Sequence, residues 1–156
     1  MHDLVISMLQ QRGVSLSDMA VLVLEMQQKY VPLNYDIALE HVKKVLEKRE
    51  VQNAILTGIA IDQAAEADLI DEPLLSILKN DDALYGIDEI LALSITNIYG
   101  TIGLTNFGYL DKAKPGILAE LNSKTSGKVN TFLDDIVAAI IAAACSRIAH
   151  SYESNA

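Results

Sequence analysis

The chain is short of most features that mark secreted, nucleic-acid-binding or membrane-spanning proteins. It has one cysteine, Cys145, in 156 residues, which excludes a disulfide framework and suits a reducing compartment. Positive charge is scarce too: Lys+Arg is 12 against Asp+Glu 21, a formal net charge of −9. Nucleic acid and anionic lipid surfaces attract basic faces, so neither is the expected main partner. The N-terminal MHDLVISMLQQRG lacks the basic region and long apolar core of a signal peptide. The expected location is the cytoplasm, extending to peripheral contact with a membrane.

Long apolar runs are also missing. Mean hydropathy is positive, +0.24, and Ile90 to Leu110 carries no charge over a length nominally sufficient for a bilayer. Gly100, Gly103 and Gly108 interrupt it, together with Thr96, Asn97 and Asn106. Such a stretch reads as a buried helix followed by a glycine-rich turn. The second run, Ile136 to Cys145, is too short to span. No transmembrane segment is expected.

Strand-type alternation is nearly absent, and apolar spacing of three and four dominates. Leu4, Val5, Met8 and Leu9 predict a first helix stopped by Gly13. Ser15 or Ser17 can cap a second helix, and Asn34 a third that turns Ala38, Val42, Val45 and Leu46 inward. Helical spacing resumes from Val51 to about Ala67, with Gly58 as a close-packing point. Pro73 opens a short helix, Asp88 to Tyr99 forms another, and Pro115 opens one reaching Leu121. A polar loop, Asn122 to Asn130, precedes a final helix from Thr131 to about His150. The pattern predicts one all-α domain over residues 1–156, six to eight helices in a bundle. Residues 1–50 supply N-terminal helices and residues 51–150 the core. Ala138, Ala139, Ala142, Ala143 and Ala144 allow close helix approach, placing the last helix at the bundle centre or in a subunit interface. A homo-oligomer is the expected assembly.

Several chemistries are absent. Arg147 follows Cys145 by two residues, not the five of a thiolate phosphatase, so Cys145 reads as a small core residue. His2, His41 and His150 have no ligand-spaced partner, and His41 lies in a charged, solvent-facing stretch. The loop SKTSGKV fails as a phosphate loop, with Asn122 in place of the first glycine and Val129 after Lys128. What remains is acidic: Asp88-Glu89, Asp111 and Asp134-Asp135, each beside apolar neighbours. Acids in the first turn of a helix complement its macrodipole and need no further role. Carboxylates on buried helices must nevertheless be paired or metal-bound. If they converge, they form a hard-oxygen site for Mg²⁺, and Lys112 or Lys114 could meet an anionic phosphate.

The segments YGIDEILAL, GYLDKAKPGI and SGKVNTFLDDIVAAIIAA resemble the phosphatidylglycerophosphatase A family. The family's DE pair, LDxxKP segment and glycine loop leading to DDxxAG match Asp88-Glu89, Leu110-Asp111 with Lys114-Pro115, and Gly127 with Asp134-Asp135 and Ala138. Ala139 replaces the last glycine. Asp81, seven before the DE pair, falls at a spacing the family also fills with an acid, but it is not counted in the site. The resemblance spans about residues 50–150. An N-terminal GTxGS segment and transmembrane helices, present in membrane-bound members, are absent. The chain therefore is most similar to the branch of low-temperature requirement C-like proteins of Gram-positive bacteria.

The resemblance implies an all-helical fold and a phosphomonoesterase dependent on Mg²⁺ or Mn²⁺, converting phosphatidylglycerophosphate to phosphatidylglycerol. Glu89, Asp111, Asp134 and Asp135 would hold the metal. Asp88 and Asp111 would be the catalytic carboxylates, Asp88 orienting or deprotonating water, and Lys114 would contact the phosphate. Two alternatives stand beside it: a non-catalytic binding or regulatory homologue, and a phosphatase acting on a soluble phosphomonoester.

Overall fold

The computed structural model describes residues 1–153. Among them are nine α-helices, one 3-10 turn (Lys124–Ser126) and no strand. The helices are α1 (His2–Gln11), α2 (Leu16–Gln27), α3 (Tyr35–Leu46), α4 (Arg49–Glu66), α5 (Leu74–Asn80), α6 (Ile87–Thr96), α7 (Thr101–Ala113), α8 (Ile117–Leu121) and α9 (Leu133–Glu153). The count exceeds the expected six to eight by one, and the extra helix has a clear origin.

That helix is α7. The glycines after Tyr99 read as a turn, but only Gly100 breaks the chain, at φ +81°. Gly103 and Gly108 lie within the helix. A glycine inside a helix costs roughly 1 kcal/mol relative to alanine, and α7 offsets this by lying along α9. At Gly103 an added Cβ would fall 3.8 Å from Ser146 Cβ and 3.4 Å from the Thr96 carbonyl oxygen, so a small residue lets the helices approach. No described helix is long and apolar enough to cross a membrane.

Sequence signals set the other boundaries. Ser15 rather than Ser17 caps α2, its hydroxyl accepting from the Asp18 N–H at 3.1 Å while Asp18 accepts from the Ser15 N–H at 2.8 Å. This reciprocal pair satisfies two donors that the first helical turn leaves free. Asn34 caps α3 by accepting from the Ile37 N–H. Pro73 sits one residue before α5, and α9 starts at Leu133, keeping Asp134-Asp135 in its first turn.

The centre of the fold is α9, against which α2, α3, α4, α6, α7 and α8 all pack. Every residue from Leu133 to Ser146 is buried. The alanine stripe is thus covered by its own chain, which removes an uncovered alanine face as the ground for expecting an oligomer. Gly58 of α4 is a close-packing point as expected: a Cβ there would run into Ile136 Cδ1 and lie 3.2 Å from Phe132 Cβ.

Two polar anchors, absent from the sequence reading, hold the start of α9. Asp62 of α4 is fully buried and accepts from the backbone N–H groups of Phe132 and Leu133 at 3.0 and 2.9 Å. It serves as a helix cap supplied from another helix. Arg12, after α1, donates through Nη2 to Glu66 Oε1 (2.6 Å), the Val129 carbonyl (2.6 Å) and Asn130 Oδ1 (2.8 Å).

Candidate active site

Three helix ends converge at one side of α9. The first turn of α6 brings Asp88 and Glu89, with Gly86 as its N-cap at φ +77°. The last turn of α7 brings Asp111, and Lys114 terminates α7 at φ +46°. A non-glycine residue there stores roughly 1–2 kcal/mol of strain. The first turn of α9 brings Asp134 and Asp135, both nearly inaccessible to solvent. All six line one cavity of about 190 Å³. Asp88 is buried and Glu89 exposed.

Lys114 is the hub. Its ammonium donates to Asp111 Oδ1 and to Asp134 Oδ2, each at 2.8 Å, and lies 3.6 Å from Asp135 Oδ1. Burial alone would lower its pKa, but the carboxylates of Asp134, Asp111 and Asp135 outweigh that and hold it well above the ordinary lysine value. Lys114 is therefore a fixed cation.

The acids respond in the opposite sense. Burial pushes the Asp134 carboxyl up, with Lys114 opposing the shift and Asp81 adding to it. Burial, then the charge of Asp134, pushes Asp135 up against the pull of Lys114. Asp88 is raised by burial and by Asp81 and Asp111, and its Oδ1 is buried with no hydrogen-bond partner. Each direction reports excess negative charge withdrawn from water.

The sequence reading missed parts of this wall. Asp81 and Asp82 line the cavity as well, together with Asn122 and the 83–86 segment. Asp81 ends α5 at φ +52° and Leu84 follows at φ +67° with its side chain fully exposed. Strained non-glycine residues concentrate at functional sites. The spacing of Asp81 before the DE pair was the available signal. Asn122 offered none, being one polar residue in a polar loop.

Other candidates lie elsewhere. Cys145 is fully buried, and burial pushes its thiol up to about 12, as befits a core residue. His41 departs from its expected solvent-facing place: it is half-buried, burial lowers its pKa, and Arg147 lowers it further. Lys112 is exposed and does not line the cavity.

The donor set has the chemistry of a divalent hard cation: carboxylate oxygens only, one of them orphaned at Asp88, in excess over a single lysine. Its arrangement is not a closed shell. Among the described residues no three His, Cys, Asp or Glu side chains are disposed to hold one ion, and Lys114 stands between Asp111 and Asp134.

The fold and cavity define the class: an all-helical protein whose central buried helix carries an acidic, lysine-bridged cavity. A family model, Phosphatidylglycerophosphatase A, matches residues 5–150, and the chain belongs to that family. The match therefore includes α2 and α3 as well as the later helices. Uncharacterized protein YpjQ of Bacillus subtilis is 54% identical over 154 residues, 98% of this chain and 86% of the relative. Uncharacterized protein YutG of the same organism is 58% identical over 143 residues, 91% of this chain and 86% of the relative. The crystal structure of low temperature requirement C protein from Listeria monocytogenes superposes with a TM-score of 0.94 at 57% identity, covering 97% of this chain and 96% of that one.

Proposed function

We propose that this protein is a divalent-cation-dependent phosphomonoesterase that releases phosphate from an ester of the phosphatidylglycerophosphate type. The observation that carries the reading is the convergence of Asp88, Glu89, Asp111, Lys114, Asp134 and Asp135, drawn from three helices, on one cavity. Helix-dipole complementation explains each acidic pair separately but gives no reason for them to meet.

Glu89, Asp111, Asp134 and Asp135 would hold Mg²⁺ or Mn²⁺, which when bound supplies neutralising charge for phosphoryl oxygens and acidifies water. Lys114 holds Asp111 and Asp134 in place and offers its remaining proton to a phosphoryl oxygen entering the cavity. Asp88, with one oxygen unpartnered and its pKa raised by burial, would accept a proton from the attacking water. Burial of Asp134 and Asp135 excludes bulk water from that wall of the cavity.

The test is phosphate release with Mg²⁺ from phosphatidylglycerophosphate in detergent, beside soluble phosphomonoesters. Asp111→Asn and Asp134→Asn should abolish it while the folded state persists, since each removes one charge at constant shape. Wild type inert on every ester, or Asn variants of equal activity, overturns the reading. One observation favours a second reading, a non-catalytic homologue: Lys114 already pairs with both Asp111 and Asp134. In that case the Asn variants change stability alone.

A further inference from the structure

The carboxylate cavity has a neighbour of opposite sign. A cavity of about 260 Å³ opens beside it, and Asp81, Asn122 and Asp134 form their common wall. The far side consists of the 122–130 loop with Lys124 and Lys128, and of Lys79 in the last turn of α5. Most charges on this cavity are already cancelled. Glu66 is paired with Arg12, Lys79 with Asp68, and Asp134 with Lys114. What remains is Lys124 and Lys128 against Asp81.

Neither lysine is spent. Lys124 donates to the Asn80 carbonyl at 2.7 Å, which ties the loop to the end of α5 and leaves two further protons on the ammonium. The Lys128 ammonium makes no salt bridge within 4 Å among the described residues, and its charge reaches Glu66 across the same cavity. The loop from Asn122 to Asn130 contains no acid at all, in a chain of net charge −9. Its ends are fixed rather than loose: Asn130 donates to the Leu121 carbonyl at 3.0 Å and accepts from Arg12. An acid-free loop carrying two lysines is thus built next to a surplus of negative charge, with one wall between them.

We propose that the lysine cavity is a second anion subsite, taking a second phosphate or phosphodiester carried by the same ester whose terminal phosphate enters the carboxylate cavity. This deepens the phosphomonoesterase reading and rests on it. A simple monoester would fill only the carboxylate side and leave Lys124 and Lys128 unmatched. An ester with two anionic groups satisfies both cavities at once, and selectivity for such esters follows from charge rather than from shape. Both lysines are exposed, so salt screens each contact. Two charge-assisted contacts acting together are still worth roughly tenfold in affinity.

The test uses the full chain at fixed Mg²⁺ and 0.1 M salt. Calorimetric titration compares propylphosphonate with terminal alkane bisphosphonates of three to six carbons, none of which can be hydrolysed. Wild type should bind at least one bisphosphonate roughly tenfold more tightly than propylphosphonate. Lys124→Gln with Lys128→Gln should erase that preference and leave propylphosphonate binding unchanged; a melting curve confirms the fold. No preference in wild type, or an equal loss for both ligand classes, overturns the subsite. Phosphate release from the matching esters is measured separately. Preference without turnover upholds the subsite and removes the phosphatase reading, and turnover without preference does the reverse. Turnover of phosphatidylglycerophosphate in micelles and of its deacylated form then identifies the source. Loss in the double variant on both supports recognition of the anion itself, and loss on micelles alone supports recognition of a lipid headgroup.

Discussion

Replacing Arg12 with methionine should destabilise the protein by about 3 kcal/mol. Arg12 is nearly inaccessible and its Nη2 supplies Glu66, the Val129 carbonyl and Asn130. Methionine keeps the apolar stem but strands three acceptors. Removing one partner of a fully buried ion pair costs roughly 3–5 kcal/mol, and Glu66 is 25% exposed, which sets the lower end. For a chain of this length, about 3 kcal/mol lowers Tm by ~6–12 °C. The pH dependence has a definite sign. Burial pushes the Glu66 carboxyl up, but hydrogen bonds from Arg12 and the Val129 N–H outweigh it, so the net shift is downward. A depressed carboxyl contributes stability above its unfolded pKa and loses it as pH falls through the folded one. The deficit of Arg12→Met is therefore largest near pH 7 and shrinks below about pH 4. Urea unfolding of Arg12→Met, Glu66→Gln and the double variant completes a cycle, with a coupling of at least ~1 kcal/mol expected for groups in contact. A cost below ~1 kcal/mol for Arg12→Met, or additive single effects, would refute the network as a support of the loop before α9.

Three further outcomes follow from the same contacts. Gly58→Ala gains roughly 1 kcal/mol of helix propensity, but its Cβ meets Ile136 and Phe132 in a fully buried seam, where overpacking costs roughly 1–3 kcal/mol; a net loss near 1 kcal/mol is expected, and a raised Tm would contradict the seam. Burial pushes the Asp62 carboxyl up to about 7, against two backbone N–H donors and Arg12. Its contribution, up to about 4 kcal/mol, is complete below the unfolded pKa near 4 and lost as pH rises through 7. Melting curves between pH 4 and 8 should decline more steeply in wild type than in Asp62→Asn, where only the raised carboxyls of the α9 site remain; parallel curves sink the assignment. Finally, Mg²⁺ or Mn²⁺ should raise the melting temperature, by roughly 2.7 kcal/mol of stabilisation at a hundredfold excess over Kd, and identical curves in millimolar Mg²⁺ and in EDTA would argue against a metal site.

What could be read from the sequence was what depends on neighbours in the chain. Ser15 and Asn34 announced their helices because a cap acts within three residues. The six residues that line the carboxylate cavity could be singled out because each sits in a compact motif at a helix end. Where distance along the chain is large, the signal thinned. Arg12 meets Glu66 and Asn130 across more than fifty residues, and an arginine before a glycine stop predicts no such partners. Asp62 left a faint trace, since Ile55, Ile59 and Asp62 share one helical face and an acid on an inward face requires a donor. The glycines of α7 misled, because local propensity says turn and only the packing of α7 on α9 says helix.

The complete burial of α9 between Leu133 and Ser146 also bears on time. An element enclosed on all sides exchanges its amide protons only through global unfolding, whereas helix ends and short peripheral helices open locally at much lower free energy. Asp134 and Asp135 sit in the first turn of that element, buried and continuous with its enclosed length. Asp88, Asp111 and Lys114 hang from the ends of α6 and α7, where the chain frays first. Adjustment to an arriving ligand is therefore expected first on the α6–α7 side, with the two buried α9 carboxylates as the reference.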